Sequence, residues 1–235
     1  MTEQKKDKDW QTPLILAVGE GDTKTINRLL ETGADTEARD KDGSTALIIA
    51  TFEGQIEAIR ILLEAGADIE ATNNGVTALM VAAAEGQTEA IRALLNAGAN
   101  IEAKSKSGSK SLMGAALKGQ TEAIQALLNA GNAGADIDIK QEGSGTALIV
   151  AALNGQTEAM QTLLKAGADI EARDKDGLTA LMGAASEGHT EAIQTLLKAG
   201  ADIEAKSNED WTALIVASCN GHTEATQTLA RAGPD

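Results

Sequence analysis

The chain has 235 residues, 43% of them hydrophobic, and carries 20 Lys and Arg against 35 Asp and Glu for a net charge of −15. That apolar content excludes a wholly disordered chain, and the acidic balance argues against nucleic acid, because phosphate binding needs a basic surface. Aromatic residues are only 1% of the chain, which excludes a large core built on aromatic side chains, so close packing of Ala, Leu and Ile must replace it.

Residues 1–9, MTEQKKDKD, predict a charged, flexible tail with no apolar segment of the signal-peptide kind. No apolar run approaches the roughly 20 residues of a membrane span, so no membrane association is expected. From Trp10 onward the chain repeats itself. Gly-Ala pairs begin at Gly33, Gly66, Gly98, Gly134, Gly167 and Gly200, in steps of 33, 32, 36, 33 and 33 residues. A fixed period of this length marks stacked structural units, each touching only its neighbours. Residues 10–235 therefore read as one elongated domain of seven units, with approximate bounds 10–43, 44–75, 76–108, 109–145, 146–178, 179–211 and 212–235.

Six of the seven units carry a threonine near their start: Thr12, Thr45, Thr77, Thr146, Thr179 and Thr212. That residue is placed to cap a helix N-terminus, and Pro13 suits the first turn that follows Thr12. A short helix of about nine residues then runs to a glycine (Gly21, Gly54, Gly86, Gly119, Gly155, Gly188 or Gly221), the usual helix stop. A second helix follows, as in TEAIQTLLKAG from Thr190 to Gly200. Its Ala192, Ile193, Leu196 and Leu197 share one face, while Glu191 and Lys198 match the helix dipole. An Ala-Asp-Ile-Glu-Ala loop and a turn such as Asp174-Lys175-Asp176-Gly177 complete the unit. Many of the acids recur at these fixed places, which points to a structural or solvating role for them.

Period, Asp-Gly-x-Thr tip, central glycine, Leu-Leu pair and Gly-Ala-Asp recur in register over residues 10–233, and the chain resembles the ankyrin-repeat family. The resemblance implies an all-α repeat solenoid of seven helix-turn-helix units with β-turn or hairpin tips. The departures are specific. The family's histidine after Leu is replaced throughout by Ile15, Ile48, Met80, Met113, Ile149, Met182 and Ile215, so apolar packing must stand in for its hydrogen bonds. The fourth unit has Lys110-Ser111 where Thr-Ala is expected. It also repeats Asn129-Ala130-Gly131 as Asn132-Ala133-Gly134, and the tip Asn73-Asn74-Gly75 is one residue short. Stacking should be least regular over residues 105–145. In the last unit Thr226 and Ala230 replace core residues, the mark of a capping repeat.

No motif carries chemistry. His189 and His222 stand in a column that sister units fill with Gln, which suits a turn hydrogen-bonder better than a catalyst. Cys219 lies three residues from His222 without a third residue to orient the pair. Asp40-x-Asp42-Gly43 and Asp174-x-Asp176-Gly177 lack the other ligands of a calcium loop, and Gly143-Ser144-Gly145 and Gly19-Glu20-Gly21 lack the lysine of a phosphate loop. No enzyme activity, metal or cofactor is expected. A single cysteine excludes an internal disulfide framework and predicts a reducing, cytoplasmic setting.

Surface remains. In proteins similar to ankyrin repeats, partners bind the concave side formed by the tips and the exposed ends of the first helices. The resemblance therefore implies a monomeric adaptor or inhibitor that binds another protein through Phe52, Glu53, Glu85, Leu117, Lys118, Leu153, Leu178, Glu187, Trp211 and Cys219. Two other readings stay open. One is a ligand-binding protein or enzyme with a site near the irregular fourth unit, and the other is a designed or recently duplicated scaffold without a natural partner.

Overall fold

The computed structural model describes residues 12–130, 134–141 and 145–233. The charged tail, Trp10, the insert residues Gly131, Asn132 and Ala133, and the loop residues Glu142, Gly143 and Ser144 lie outside the described residues. Helices come in pairs along the chain: α1 (Pro13–Glu20) with α2 (Thr23–Glu31), α3 (Ala46–Phe52) with α4 (Ile56–Glu64), α5 (Ala78–Ala84) with α6 (Thr88–Asn96), and α7 (Ser111–Lys118) with α8 (Thr121–Leu128). Then follow α9 (Ala147–Leu153) with α10 (Thr157–Lys165), α11 (Ala180–Ser186) with α12 (Thr190–Lys198), and α13 (Ala213–Cys219) with α14 (Thr223–Ala232). First helices stack on first helices and second helices on second helices, giving the all-α repeat solenoid its two layers.

The capping column works at five of its six threonines. Thr12, Thr45, Thr77, Thr179 and Thr212 each accept the backbone N–H three residues on. Thr146 does not; its hydroxyl is buried without a partner among the described residues. The glycine after each first helix adopts left-handed backbone, with φ between 64° at Gly155 and 77° at Gly221. A residue with a Cβ would be strained there. The core between the layers is Ala, Leu, Ile and Met, as in the buried Ala192, Ile193 and Leu196 of α12. Ile48, Met80, Met113, Ile149 and Met182 are buried, so apolar packing does fill the place of the missing histidine. Ile215 is the departure. It is exposed with Leu214 because no further helix packs over α13 among the described residues.

The recurrent acids form a ladder between units. Asp35 Oδ1 accepts the N–H of Glu37 at 2.9 Å, and Glu37 Oε1 accepts the N–H of Asp68 in the next unit at 2.8 Å. Glu70, Glu102, Asp138 and Glu171 accept in turn from Asn100, Asp136, Asp169 and Asp202 at 2.7–3.0 Å. Each carboxylate thus satisfies a loop N–H that helix and strand leave unpaired.

The shortened tip makes a different turn. β1 (Thr72–Asn73) pairs antiparallel with β2 (Val76–Thr77), and Asn74 and Gly75 between them have φ of 51° and 85°. Two consecutive positive φ values define the mirror-image turn that matches strand twist, and Asn-Gly is its favoured pair. Other tips instead fold on a side chain: Asp40 Oδ1 accepts the N–H groups of Asp42 and Ser44, Asp174 does the same for Asp176 and Leu178, and the Ser207 hydroxyl accepts from Glu209 and Trp211.

Candidate functional site

The first helices and the tips present a common inner face, and exposed apolar residues gather on it. Phe52 is 61% exposed, Leu16 45%, and Leu117 and Trp211 43% each. With Leu214 and Ile215, these are the large exposed hydrophobic residues of the described chain, and none lies on a second helix. Glu53, Glu85, Lys118, Glu187 and Cys219 are exposed beside them. Leu153 and Leu178 are different: both are half-buried and packed against the core.

One residue in the following unit accounts for Leu153. A Cβ on Gly183 would come within 3.2 Å of Leu153 Cγ, so the glycine provides the hollow into which Leu153 sinks. The positions matching Gly183 above Phe52 and Leu117 are Val81 and Val150. Branched side chains there leave Phe52 and Leu117 facing solvent. The signal is present in the sequence, but it lies about one repeat away from the residue whose exposure it sets.

Around Phe52 the inner face deepens into a groove of about 550 Å³. Ile15, Ile48, Ile49, Val76 and Val81 supply its apolar lining, while Asp40, Asp42, Glu53, Asn73 and Asn74 supply its polar edge. Gly19 lies at one end, and an added Cβ there would meet nothing within 4 Å. The groove exists because the first unit carries glycine in the column that holds Phe52 in the second. Sequence reasoning found Phe52 and Glu53 but missed Leu16, Gly19 and Ile49; the signal was the size drop at Gly19 in an otherwise occupied column.

The histidines serve the stack. His189 Nε2 donates to the carbonyl of Leu153 at 3.2 Å and His222 Nε2 to that of Ser186 at 2.8 Å. Gln87, Gln120 and Gln156 reach the corresponding carbonyls of Phe52, Ala84 and Leu117 at 3.2–3.4 Å. Each side chain therefore ties its own turn to the end of the preceding first helix, where carbonyls lack helical partners. His222, held this way, makes no hydrogen bond with Cys219, and Cys219 is a free, exposed thiol.

A second groove, of about 790 Å³, lies between α6 and α8 on the second-helix side where the third and fourth units meet, lined by Glu89, Arg92 and Glu122 among others. The Thr121 hydroxyl donates to Glu122 at 2.8 Å and holds that carboxyl below its ordinary pKa. No cluster of three or more His, Cys, Asp or Glu able to hold a metal occurs among the described residues. No helix there is long and apolar enough to cross a membrane.

Two layers of paired helices, polar ties at every junction and a varied inner face define a helical repeat solenoid. A family model described as ankyrin repeats, in three copies, matches residues 2–73, 70–141, 112–207 and 148–235, and the chain belongs to the ankyrin-repeat family. Among solved structures it is similar to the human ASB11 ankyrin repeat domain, with a TM-score of 0.83 and 25% identity over 95% of this chain and 99% of that one. It is also similar to the ankyrin repeat domain of Bcl-3, a member of the IkappaB protein family, with a TM-score of 0.79 and 29% identity over 93% and 98% of the two chains. No curated protein gives a significant sequence match. Ankyrin repeat domains are generally protein-interaction modules.

Proposed function

We propose that this chain is a non-enzymatic, monomeric adaptor or inhibitor of the cytoplasm that binds another protein through its inner face. One observation carries the reading: among the described residues, the large exposed hydrophobic side chains lie on first helices and tips and never on second helices. Leu214 and Ile215 are exposed at the uncovered end of the stack, but Leu16, Phe52, Leu117 and Trp211 lie along the first-helix and tip side. Apolar surface gathered on one side is the usual mark of an interaction site. The second-helix side, by contrast, is a polar surface of residues such as Glu158, Gln161 and Lys165. Phe52, Leu117 and Trp211 would be the anchors, with Leu153 and Leu178 as the flatter floor between them. Glu53, Glu85 and Glu187 would tune association rate and salt dependence more than affinity. Lys118 and Cys219 complete the border.

The test compares three baits in quantitative capture from cell extract: the unaltered chain, the double variant Phe52→Ala with Trp211→Ala, and Gln161→Ala on α10. Truncating a buried aromatic anchor costs about 2 kcal/mol or more, so proteins held by the unaltered chain should drop out with the double variant. They should persist with Gln161→Ala. Equal capture by the first two baits and loss with the third would reject the inner face.

A further inference from the structure

We propose that the groove beside Phe52 receives an extended cationic segment of a partner protein, which seats one large apolar side chain between Lys or Arg residues that meet Asp42 and Glu53. The proposal rests on the inner-face reading above and names the chemistry of the occupant.

The groove has the two halves such a segment needs. Its aliphatic lining and the exposed ring of Phe52 are an apolar surface that water contacts at a cost. Its charged edge is of one sign: three acids line the groove and no Lys or Arg does. Asp40 is already engaged, because its Oδ1 accepts two backbone N–H groups. The carboxylates of Asp42 and Glu53, by contrast, make no hydrogen bond or ion pair among the described residues. They are exposed, so a cation meeting them loses little hydration of its own. The sign also discriminates. A second copy of this chain, with net charge −15, would bring acid against acid, and a phosphate-bearing ligand would face the same repulsion. Small ligands are usually enclosed over most of their surface, whereas here Phe52 remains largely in water and asks for a longer occupant. Further along the inner face the sign reverses, with Lys106 at the tip that closes the third unit and Lys118 in the fourth. That reversal would orient a partner whose basic segment enters at Phe52.

A random linear peptide library, panned against the full chain, is the probe, and fluorescence anisotropy gives the affinities of what it enriches. The enriched peptides should pair Lys or Arg with Leu, Ile or an aromatic residue. Gly19→Leu, whose Cβ enters space with no atom within 4 Å and whose isobutyl group would occupy the open end, should weaken them about tenfold or more while circular dichroism stays unchanged. Asp42→Asn with Glu53→Gln should weaken them and flatten their salt dependence. Acidic or uncharged binders, or full binding by Gly19→Leu, would overturn the proposal. So would binding that emerges only after residues 1–9 are removed, since the groove would then belong to the chain's own tail. A library that enriches nothing over the Gly19→Leu protein overturns it too. Binders indifferent to Gly19→Leu but lost with Trp211→Ala would reject this groove and leave the inner face standing. Binders lost only with Gln161→Ala would reject both.

Discussion

The fourth and sixth units share a frame and differ in how it is secured. In the sixth, Thr179 caps α11 by accepting the N–H of Met182, and α12 runs for nine residues. In the fourth, Lys110 stands at that cap without a side-chain bond to the helix, the Ser111 hydroxyl is buried without a partner, and α8 has eight residues. Yet the core hardly registers the difference: Leu112 and Met113 are as buried as Leu181 and Met182. Apolar registration therefore determines the fold, while caps and ties determine how firmly each unit holds. Lys110 also shows how a lost cap is accommodated. Its side chain is only 4% exposed, and its ammonium pairs with Glu102 of the preceding loop at 2.8 Å. The cap threonine has become one half of an ion pair that reaches back across the junction.

The largest expected effect tests that pair. Glu102→Ala would leave a buried ammonium without its carboxylate and remove the acceptor of the Asp136 N–H. Breaking such a pair from one side costs about 3 kcal/mol, which should appear as a lower urea midpoint with the loss centred on the fourth unit. In the sixth unit Glu171 has the same loop role but no buried lysine beside it. Glu171→Ala should cost about 1 kcal/mol, the ordinary value of one hydrogen bond. Equal losses would show that the pair contributes nothing.

Next come the central glycines. Gly188→Ala forces a Cβ into left-handed backbone and to within 2.5 Å of His222 Nδ1, on a ring already held by the Ser186 carbonyl. Gly119→Ala meets the end of the Gln156 amide, which also donates to the Leu117 carbonyl but sits on a longer, rotatable side chain. The sixth-unit substitution should cost about 2 kcal/mol and the fourth-unit one about 1 kcal/mol, the latter being mainly the left-handed penalty. Thermal unfolding of the two variants measures the gap, and its reversal would mean the histidine tie is loose.

Restoring the cap is a smaller effect of opposite sign. In the Glu102→Ala chain, where the ion pair is already lost, Lys110→Thr should restore about 1 kcal/mol and slow amide exchange over residues 111–118. In the unaltered chain those amides should exchange faster than their counterparts at 180–186. Uniform protection across both units would break the comparison.

The smallest effect is with pH. The Thr121 hydroxyl depresses the Glu122 pKa in the folded chain. A carboxyl whose folded value lies below its unfolded one adds stability above the unfolded value, about 4.3 for Glu. That contribution is lost as pH falls through the folded value. Amides at the start of α8 should therefore gain exchange below about pH 4 relative to those of α12, and Glu122→Gln should remove the difference.

Much of this was legible from single units. Period, helix pairs, the threonine caps and the glycine stops depend on residues within about one turn of each other, and five of the six capping threonines bond as their position predicts. The site was legible only as columns. Phe52, Leu117 and Trp211 face solvent, whereas Leu153, of the same column as Phe52, sinks over Gly183. Nothing within the fifth unit distinguishes them.

By itself, then, the sequence determined the solenoid and its register, because helix periodicity, capping and turn chemistry are local and repeat with the chain. Only the tertiary structure decided which recurrent residues join units and which are left free. Glu37 reaches Asp68, Gln87 reaches Phe52 and His222 reaches Ser186. In each case the partner lies one full repeat away, at a distance along the chain where composition carries no information and only stacking brings the groups within hydrogen-bond reach.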